Sequence, residues 1–198
     1  YPENLEIMEA KGIEIVYFSP LADEELPEDV DGLYIGGGFP EEFAQELAIN
    51  LKAKISVKQA IENGLPTLAE CGGFMYLTET IETKDKKKYE MAGIIPGNVQ
   101  MQTRLAALGY REISGQNANF ILENLSARGH EFHYSTFQAA EEEVPYAYET
   151  TGMRGVSQEG YLLHNLVAGY THFHFASCPE MVENWIRKCL ENRGKRYE

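Results

Sequence analysis

Cysteine, tryptophan and positive charge are all scarce in this sequence. Its 198 residues include three cysteines, one tryptophan and 17 lysines plus arginines against 31 acidic residues, for a formal charge of −14 at pH 7. Each shortage excludes something. Cys71, Cys178 and Cys189 form an odd, scattered set without zinc-type spacing, so no disulfide framework is expected and a reducing cytoplasm is the expected compartment. A chain this acidic lacks the basic face that nucleic-acid phosphates demand, and an anionic membrane surface is equally disfavoured. No run approaches the roughly 18 apolar residues of a membrane span, and the opening YPENLEIMEAKG does not read as a signal peptide. The phosphate-cradling pattern Gly-x-x-x-x-Gly-Lys-Ser/Thr occurs nowhere.

What is present reads as one soluble domain. Hydrophobic residues make up 43% of the chain, enough for a single core at this length. Leu5–Lys11 has helical spacing and Gly12 stops it. Ile13–Phe18 and Asp31–Gly36 read as buried strands, the second running into Gly36-Gly37-Gly38. Residues 41–63 have a helical pattern broken near Asn50, and Gly64 ends it. Pro66–Glu70 is a third strand, followed by a helix over Gly73–Glu79. Strands alternating with helices predict an α/β fold whose mostly parallel central sheet is flanked by helices. Between Lys84 and Ser157 short β-type runs (Tyr89–Ile95, Asn98–Gln102, Ala107–Ile113, Ala127–Tyr134 and Val144–Glu149) predict added mixed or antiparallel strands. Leu166–Phe175 is a late, mostly apolar strand, and Pro179–Asn192 a closing amphipathic helix. Such a domain ordinarily opens on a strand, whereas this chain opens on a helix, so a preceding strand and domain are expected to be missing.

Cys71 stands out, since Leu68-Ala-Glu-Cys-Gly-Gly73 places a thiol where a strand turns into a helix. That position projects a side chain at the carboxyl edge of the sheet, where α/β proteins bind ligands. Gly72 and Gly73 permit the tight turn, and the helix start favours a thiolate and offers N–H groups to an oxyanion. The arrangement matches a nucleophile elbow, although Ala69 replaces its first glycine. A small buried cysteine at a turn is the structural alternative.

A nucleophilic cysteine needs a base, and there are five histidines: His130, His133, His164, His172 and His174. His172 and His174 are two apart on a predicted strand and so share a face, near the edge where Cys71 emerges. His164 lies in the predicted turn Leu163-His-Asn165 and reads as a surface residue. Gly129-His-Glu-Phe-His133 lacks the helical H-E-x-x-H spacing, and a strand with one polar face explains it without a metal.

Five stretches now carry a resemblance. They are Ile35-Gly-Gly-Gly-Phe-Pro-Glu41, Leu68–Gly73, Ala106-Ala-Leu-Gly-Tyr-Arg111, Arg128-Gly-His-Glu-Phe-His-Tyr-Ser135 and Gly169-Tyr-Thr-His-Phe-His-Phe175. Together and in this order they resemble the C-terminal glutamine amidotransferase domain of cobyrinic acid a,c-diamide synthases, over nearly the whole chain. The resemblance implies a class I, triad-type amidotransferase fold across residues 1–198. It implies Cys71 as nucleophile towards L-glutamine, His172 as base, and backbone N–H groups of Gly72 and of Gly37 or Gly38 as oxyanion donors. It also implies an N-terminal synthetase domain, absent here, where ATP and Mg²⁺ activate carboxylates of a corrin-type acceptor. No cofactor is expected in this chain, and the oligomeric state is left open.

One departure matters. Many triad-type amidotransferases carry His-x-Glu, but here the third position is His174. Two readings stay open: a Cys–His dyad with His174 in support, or an acid from elsewhere, such as Glu131. Other functional readings also keep the same cysteine and histidine. These are an amidotransferase acting on another tetrapyrrole such as nickel-sirohydrochlorin or on a cell-wall precursor, a cysteine hydrolase, and a noncatalytic binding module.

Overall fold

Glycine and proline set the boundaries of the elements, and alternation along the buried strands sets which way each side chain points. The computed structural model describes residues 1–140 and 143–196. Helix α1 (Pro2–Ala10) leads to strand β1 (Leu33–Ile35), a 3₁₀ turn over Pro40–Phe43, and helices α2 (Ala44–Ile49) and α3 (Leu51–Glu62). The break between α2 and α3 falls at Asn50, and Gly64 follows α3 at φ +96°, a conformation that favours glycine. Strand β2 (Thr67–Glu70) then turns directly into helix α4 (Gly72–Leu77). The next strands are β3 (Thr78–Glu82), β4 (Lys88–Glu90), β5 (Ile95–Met101), β6 (Ala107–Gly115), β7 (Ser126–His133) and β8 (Ser135–Ala139). After them come β9 (Tyr148–Gly152), β10 (Gly155–Glu159), β11 (Tyr161–Leu163), β12 (Leu166–Gly169), β13 (His172–His174) and helix α5 (Glu180–Arg196).

Three sheets result. The central one has order β1-β2-β12-β11, with β1 and β12 parallel to β2 and β11 antiparallel at the edge. Leu68 and Val167 face one hydrophobic cluster, with Met8, Phe173, Phe175, Val182 and Trp185. Their neighbours Ala69 and Ala168 face the other, with Val57, Ile61, Phe74 and Leu77. Strands buried on both faces in this way are what a parallel sheet covered by helices requires, and each fully buried large apolar side chain contributes about 1.5–3 kcal/mol. A second, wholly antiparallel sheet runs β10-β9-β6-β7-β13. A third, β4-β3-β5-β8, pairs β3 with β5 in parallel. Among the described residues no helix is long and apolar enough to cross a membrane.

Several expectations shift. Ile13–Phe18 makes no ladder with any described strand. Ile13, Ile15 and Phe18 pack half-buried against the two clusters, while Val16 and Tyr17 are 56% and 75% exposed. An apolar run is a strand only where a neighbour pairs its backbone, and here it serves as packing. Tyr89–Ile95 shrinks to the edge strand β4, and Val144–Glu149 moves downstream to β9. Strand Leu166–Phe175 splits in two: the chain leaves the central sheet at Tyr170-Thr171 and joins the antiparallel sheet as β13. That switch carries His172 across the end of β2.

Candidate functional site

The corner between β2 and α4 holds Cys71 at φ +50°, ψ −105°. For a residue with a Cβ this left-handed conformation costs about 1–3 kcal/mol and persists only when its surroundings enforce it. The Cys71 N–H donates to the carbonyl of Gly169 (2.8 Å), and the Cys71 carbonyl accepts from Met75 N–H (2.9 Å), closing the first turn of α4. Both sides of the corner are thereby locked. A Cβ on Gly73 would overlap the Ile35 carbonyl, so only glycine lets α4 start this close to β1.

The thiol is 6% exposed, and its sulfur lies 3.7 Å from the Phe132 carbonyl. Burial pushes it up to about 12, outweighing the Gly72 N–H that lowers it; Glu41, Glu70 and Glu131 add to the rise. The fall expected from a helix N-terminus does not occur in the resting site, because α4 has only six residues and burial of the thiol outweighs it. Cys71 rests as a thiol and needs a base.

The glycine loop after β1 closes over this corner. A Cβ on Gly72 would lie 2.6 Å from the Gly38 carbonyl and 2.8 Å from its nitrogen, and one on Gly37 would overlap Cε1 of His172. Gly37, Gly38, Gly72, Cys71 and His172 are therefore brought together, while a Cβ on Gly38 would meet nothing within 4 Å and its outer face is open. Among the described residues no hydrogen bond joins Cys71 to His172.

His172 stacks on His130 at 4.7 Å, its cross-strand partner on β7. Burial, then the neighbouring His130, pushes it down to about 4, so the ring is neutral and able to accept a proton. His174 shares the face, as its spacing predicts, but stacks on Tyr1 at 4.7 Å rather than reaching His172. Glu131 is committed elsewhere: Nε and an outer nitrogen of Arg111 both lie 2.9 Å from its Oε2. It raises the affinity of His172 for a proton only through space. His130 and His133 turn to opposite faces, towards the Tyr1 hydroxyl and the Ser135 carbonyl. His164 sits in its turn at φ +56°.

The acid nearest His172 is Glu70. Its Oε2 lies 4.0 Å from Nδ1 of the imidazole, and its side chain is 2% exposed. The Tyr34 hydroxyl donates to Oε2 (2.9 Å) and the Phe173 N–H to Oε1 (3.2 Å). Burial pushes this carboxyl up to about 8 against those hydrogen bonds. In the sequence alone Glu70 reads only as a neighbour of the cysteine, and Tyr34 as one more strand residue. The usable signal was a charged side chain ending a strand that is otherwise wholly apolar or hydroxylic.

A cavity of about 520 Å³ is lined by Phe39, Glu41, Lys84, Met101 and Tyr134, among others. Glu41 Oε2 is buried there without a hydrogen-bond partner among the described residues, and burial raises its carboxyl above the usual range. A comparable groove of about 510 Å³, near Leu26, Ile55 and Asn63, includes none of these residues. No three His, Cys, Asp or Glu side chains converge as a metal site among the described residues.

Known proteins resemble this chain in sequence and in fold. Residues 1–179 match the CobB/CobQ-like glutamine amidotransferase domain. A cobyrinate a,c-diamide synthase of Priestia megaterium is 58% identical over 100% of this chain and 43% of its own length. One from Thermoplasma volcanium is 42% identical over 99% of the chain and, again, 43% of its own length. The chain thus spans less than half the length of these curated relatives. Among solved structures, a glutamine amidotransferase superposes with TM-score 0.63 at 16% identity, covering 95% of this chain and 93% of that one. PurLQS from Thermotoga maritima gives 0.65 at 15%, covering 96% and 91%. At such identities these structures speak for the fold alone, an amidotransferase-like α/β architecture. With the strained cysteine corner, the glycine loop closing over it and a match over most of its length, the chain belongs to the CobB/CobQ-like glutamine amidotransferase family.

Proposed function

We propose that this chain is the glutamine-hydrolysing half of a cobyrinate a,c-diamide synthase, making ammonia at Cys71 for a synthetase domain that lies outside the sequence. The observation that carries this reading is the Cys71 corner, held at φ +50° with the Gly36–Gly38 loop packed against both Gly72 and His172.

The chemistry runs through this chain's own groups. Cys71 Sγ attacks the side-chain amide carbon of glutamine while its proton passes to His172. The oxyanion meets N–H groups of Gly72 and of Gly37 or Gly38, preset before the reaction. The imidazolium protonates the amide nitrogen, the C–N bond breaks, and ammonia leaves behind a glutamyl thioester. Water then adds with His172 as base, the C–S bond breaks, and glutamate departs with the thiol restored. The unpartnered Glu41 oxygen is the natural complement of the α-ammonium group of glutamine, which would repay its burial.

The likeness to longer synthases supports a partner that uses ATP and Mg²⁺ to activate carboxylates of a corrin-type acceptor. The sequence holds no phosphate loop and the described residues no converging metal-binding cluster, so the residues here do not fit that task and no step on nucleotide or metal is assigned to them. The cytoplasm is its proposed compartment.

The test is labelling and substitution in the protein joined to its synthetase domain. Diazo-oxo-norleucine should modify Cys71 alone, and Cys71→Ser should abolish glutamate release while ammonia-driven amidation continues. Labelling at Cys178 or Cys189, or unchanged glutamine turnover, would sink the assignment.

A further inference from the structure

We propose that Glu70, the residue before the nucleophile, is the positioning residue behind His172, fixing its ring and stabilising its protonated form. It does what a glutamate two positions after the histidine does in His-x-Glu sites, but from another strand. The inference rests on the glutaminase reading above.

Three strands converge on this one carboxyl. Glu70 ends β2, in register with Gly169 on β12, at the point where the chain crosses to β13. Its Oε1 accepts from the backbone N–H of Phe173, the residue after His172, so carboxyl and imidazole are tied to the same strand. Its Oε2 accepts from the Tyr34 hydroxyl of β1, whose ring is wedged between Phe175 and Trp185, each 5.8 Å away. The same oxygen faces Nδ1 of His172 at 4.0 Å. That is slightly beyond hydrogen-bond range, as catalytic contacts often are before substrate binds, and a small ring rotation closes it. A proton on Nδ1 turned to Glu70 leaves Nε2 as the free base for the thiol.

A carboxyl this buried is costly unless it meets a positive charge. No lysine or arginine pairs with it among the described residues. The imidazolium formed each time Cys71 gives up its proton is the cation that its position serves. Other acids are engaged elsewhere: Glu131 is held by Arg111, and Glu41 lines a cavity with Phe39 and Lys84.

Ionisation of Glu70 should therefore show in the rate. The groups facing it are Tyr34 on β1, His172 on β13, Cys71 beside it and the amino end of α1. His172 additionally feels His130, His133 and Glu131 on β7.

The experiment compares Glu70→Gln, Glu70→Asp and Cys71→Ser in the protein joined to its synthetase domain, with glutaminase kinetics read against pH. For Glu70→Gln we expect kcat to fall about 10²–10⁴-fold, with KM for glutamine and ammonia-driven amidation little changed. The rise of kcat with pH that belongs to the Glu70–His172 pair should vanish, and Glu70→Asp, which keeps the charge, should recover part of the rate. Wild-type kcat and pH profile in Glu70→Gln, with Cys71→Ser inactive, would overturn this proposal and leave the glutaminase reading standing. Turnover by Cys71→Ser would instead overturn the reading beneath it. If Glu70→Gln does not fold, Tyr34→Phe takes its place: a loss of about tenfold in kcat at constant KM supports the role, and an unchanged kcat refutes it.

Discussion

The central and antiparallel sheets bring different things to the same corner, and by different means. The central sheet delivers Cys71 and Glu70 on adjacent residues of one strand end, fixed by a turn that its own glycines define. The antiparallel sheet delivers His172 by a strand switch at Tyr170-Thr171, and its position depends on pairing with β7, about forty residues earlier. Local chemistry builds the proposed nucleophile; long-range packing builds its proposed base. The two sheets also use buried acid differently. In the central sheet Glu70 pairs with no lysine or arginine among the described residues and faces His172, whereas in the antiparallel sheet Glu131 is paired with Arg111.

The largest effect should separate the two histidines of β13. His172→Ala is expected to lower glutaminase kcat about 10²–10⁴-fold, the usual contribution of a positioned base. His174→Ala, which removes only a ring stacked on Tyr1, should stay within severalfold of wild type. Equal losses in steady-state assays of the two variants would show that β13 acts as a structural unit and would erase the distinction drawn here.

Next comes a contrast between the two glutamates in stability. Glu131→Gln takes from the Arg111 guanidinium the carboxylate 2.9 Å away, while the buried Glu159 carboxyl beside both remains to ionise in its place, so the loss should be about 1–3 kcal/mol. Denaturant titration should show that loss, with kcat less affected than in Glu70→Gln. The reverse ranking, activity lost and stability kept in Glu131→Gln, would move the acid behind the base from one sheet to the other.

The same contrast explains what was legible in the sequence. Strand β2, the α2–α3 break at Asn50, the stop at Gly64 and the cysteine corner are spelled by neighbouring residues, and all are found where the pattern places them. Residues 13–18 read as a strand because an apolar run does not say whether a neighbour will pair with it. Gly169 just before Tyr170-Thr171 is the only local break, and a lone glycine in an apolar run does not say that β12 and β13 belong to different sheets. The fall expected for the Cys71 thiol came from the helix end alone. Its burial beneath residues 37–38 and 132 depends on contacts that sequence spacing does not reveal. Glu70 was visible as a letter, but its orientation towards His172 exists only once three strands are assembled.

The last contrast is in the pH dependence of stability, where Glu70 and His172 should pull in opposite directions. Glu70 has its folded value raised from 4.5 to about 8, so between those limits the folded state holds a proton that the unfolded state has lost. Its contribution is then fully present below about pH 4.5 and is lost as pH rises through about 8. His172 has its value lowered from 6.5 to about 4, so between those limits the unfolded state holds the extra proton. Stability from this group is present above about pH 6.5 and is lost as pH falls through about 4. Relative to wild type, Glu70→Gln should therefore gain denaturation midpoint steadily from pH 5 to 8, while a His172→Gln variant should flatten the acid limb below pH 6.5. Urea midpoints at constant slope measure both. Should Glu70→Gln instead track wild type across that range, the carboxyl is already ionised in the folded protein. The hydrogen bonds from Tyr34 and Phe173 would then outweigh its burial, and the anion would stand ready beside His172 before any substrate arrives.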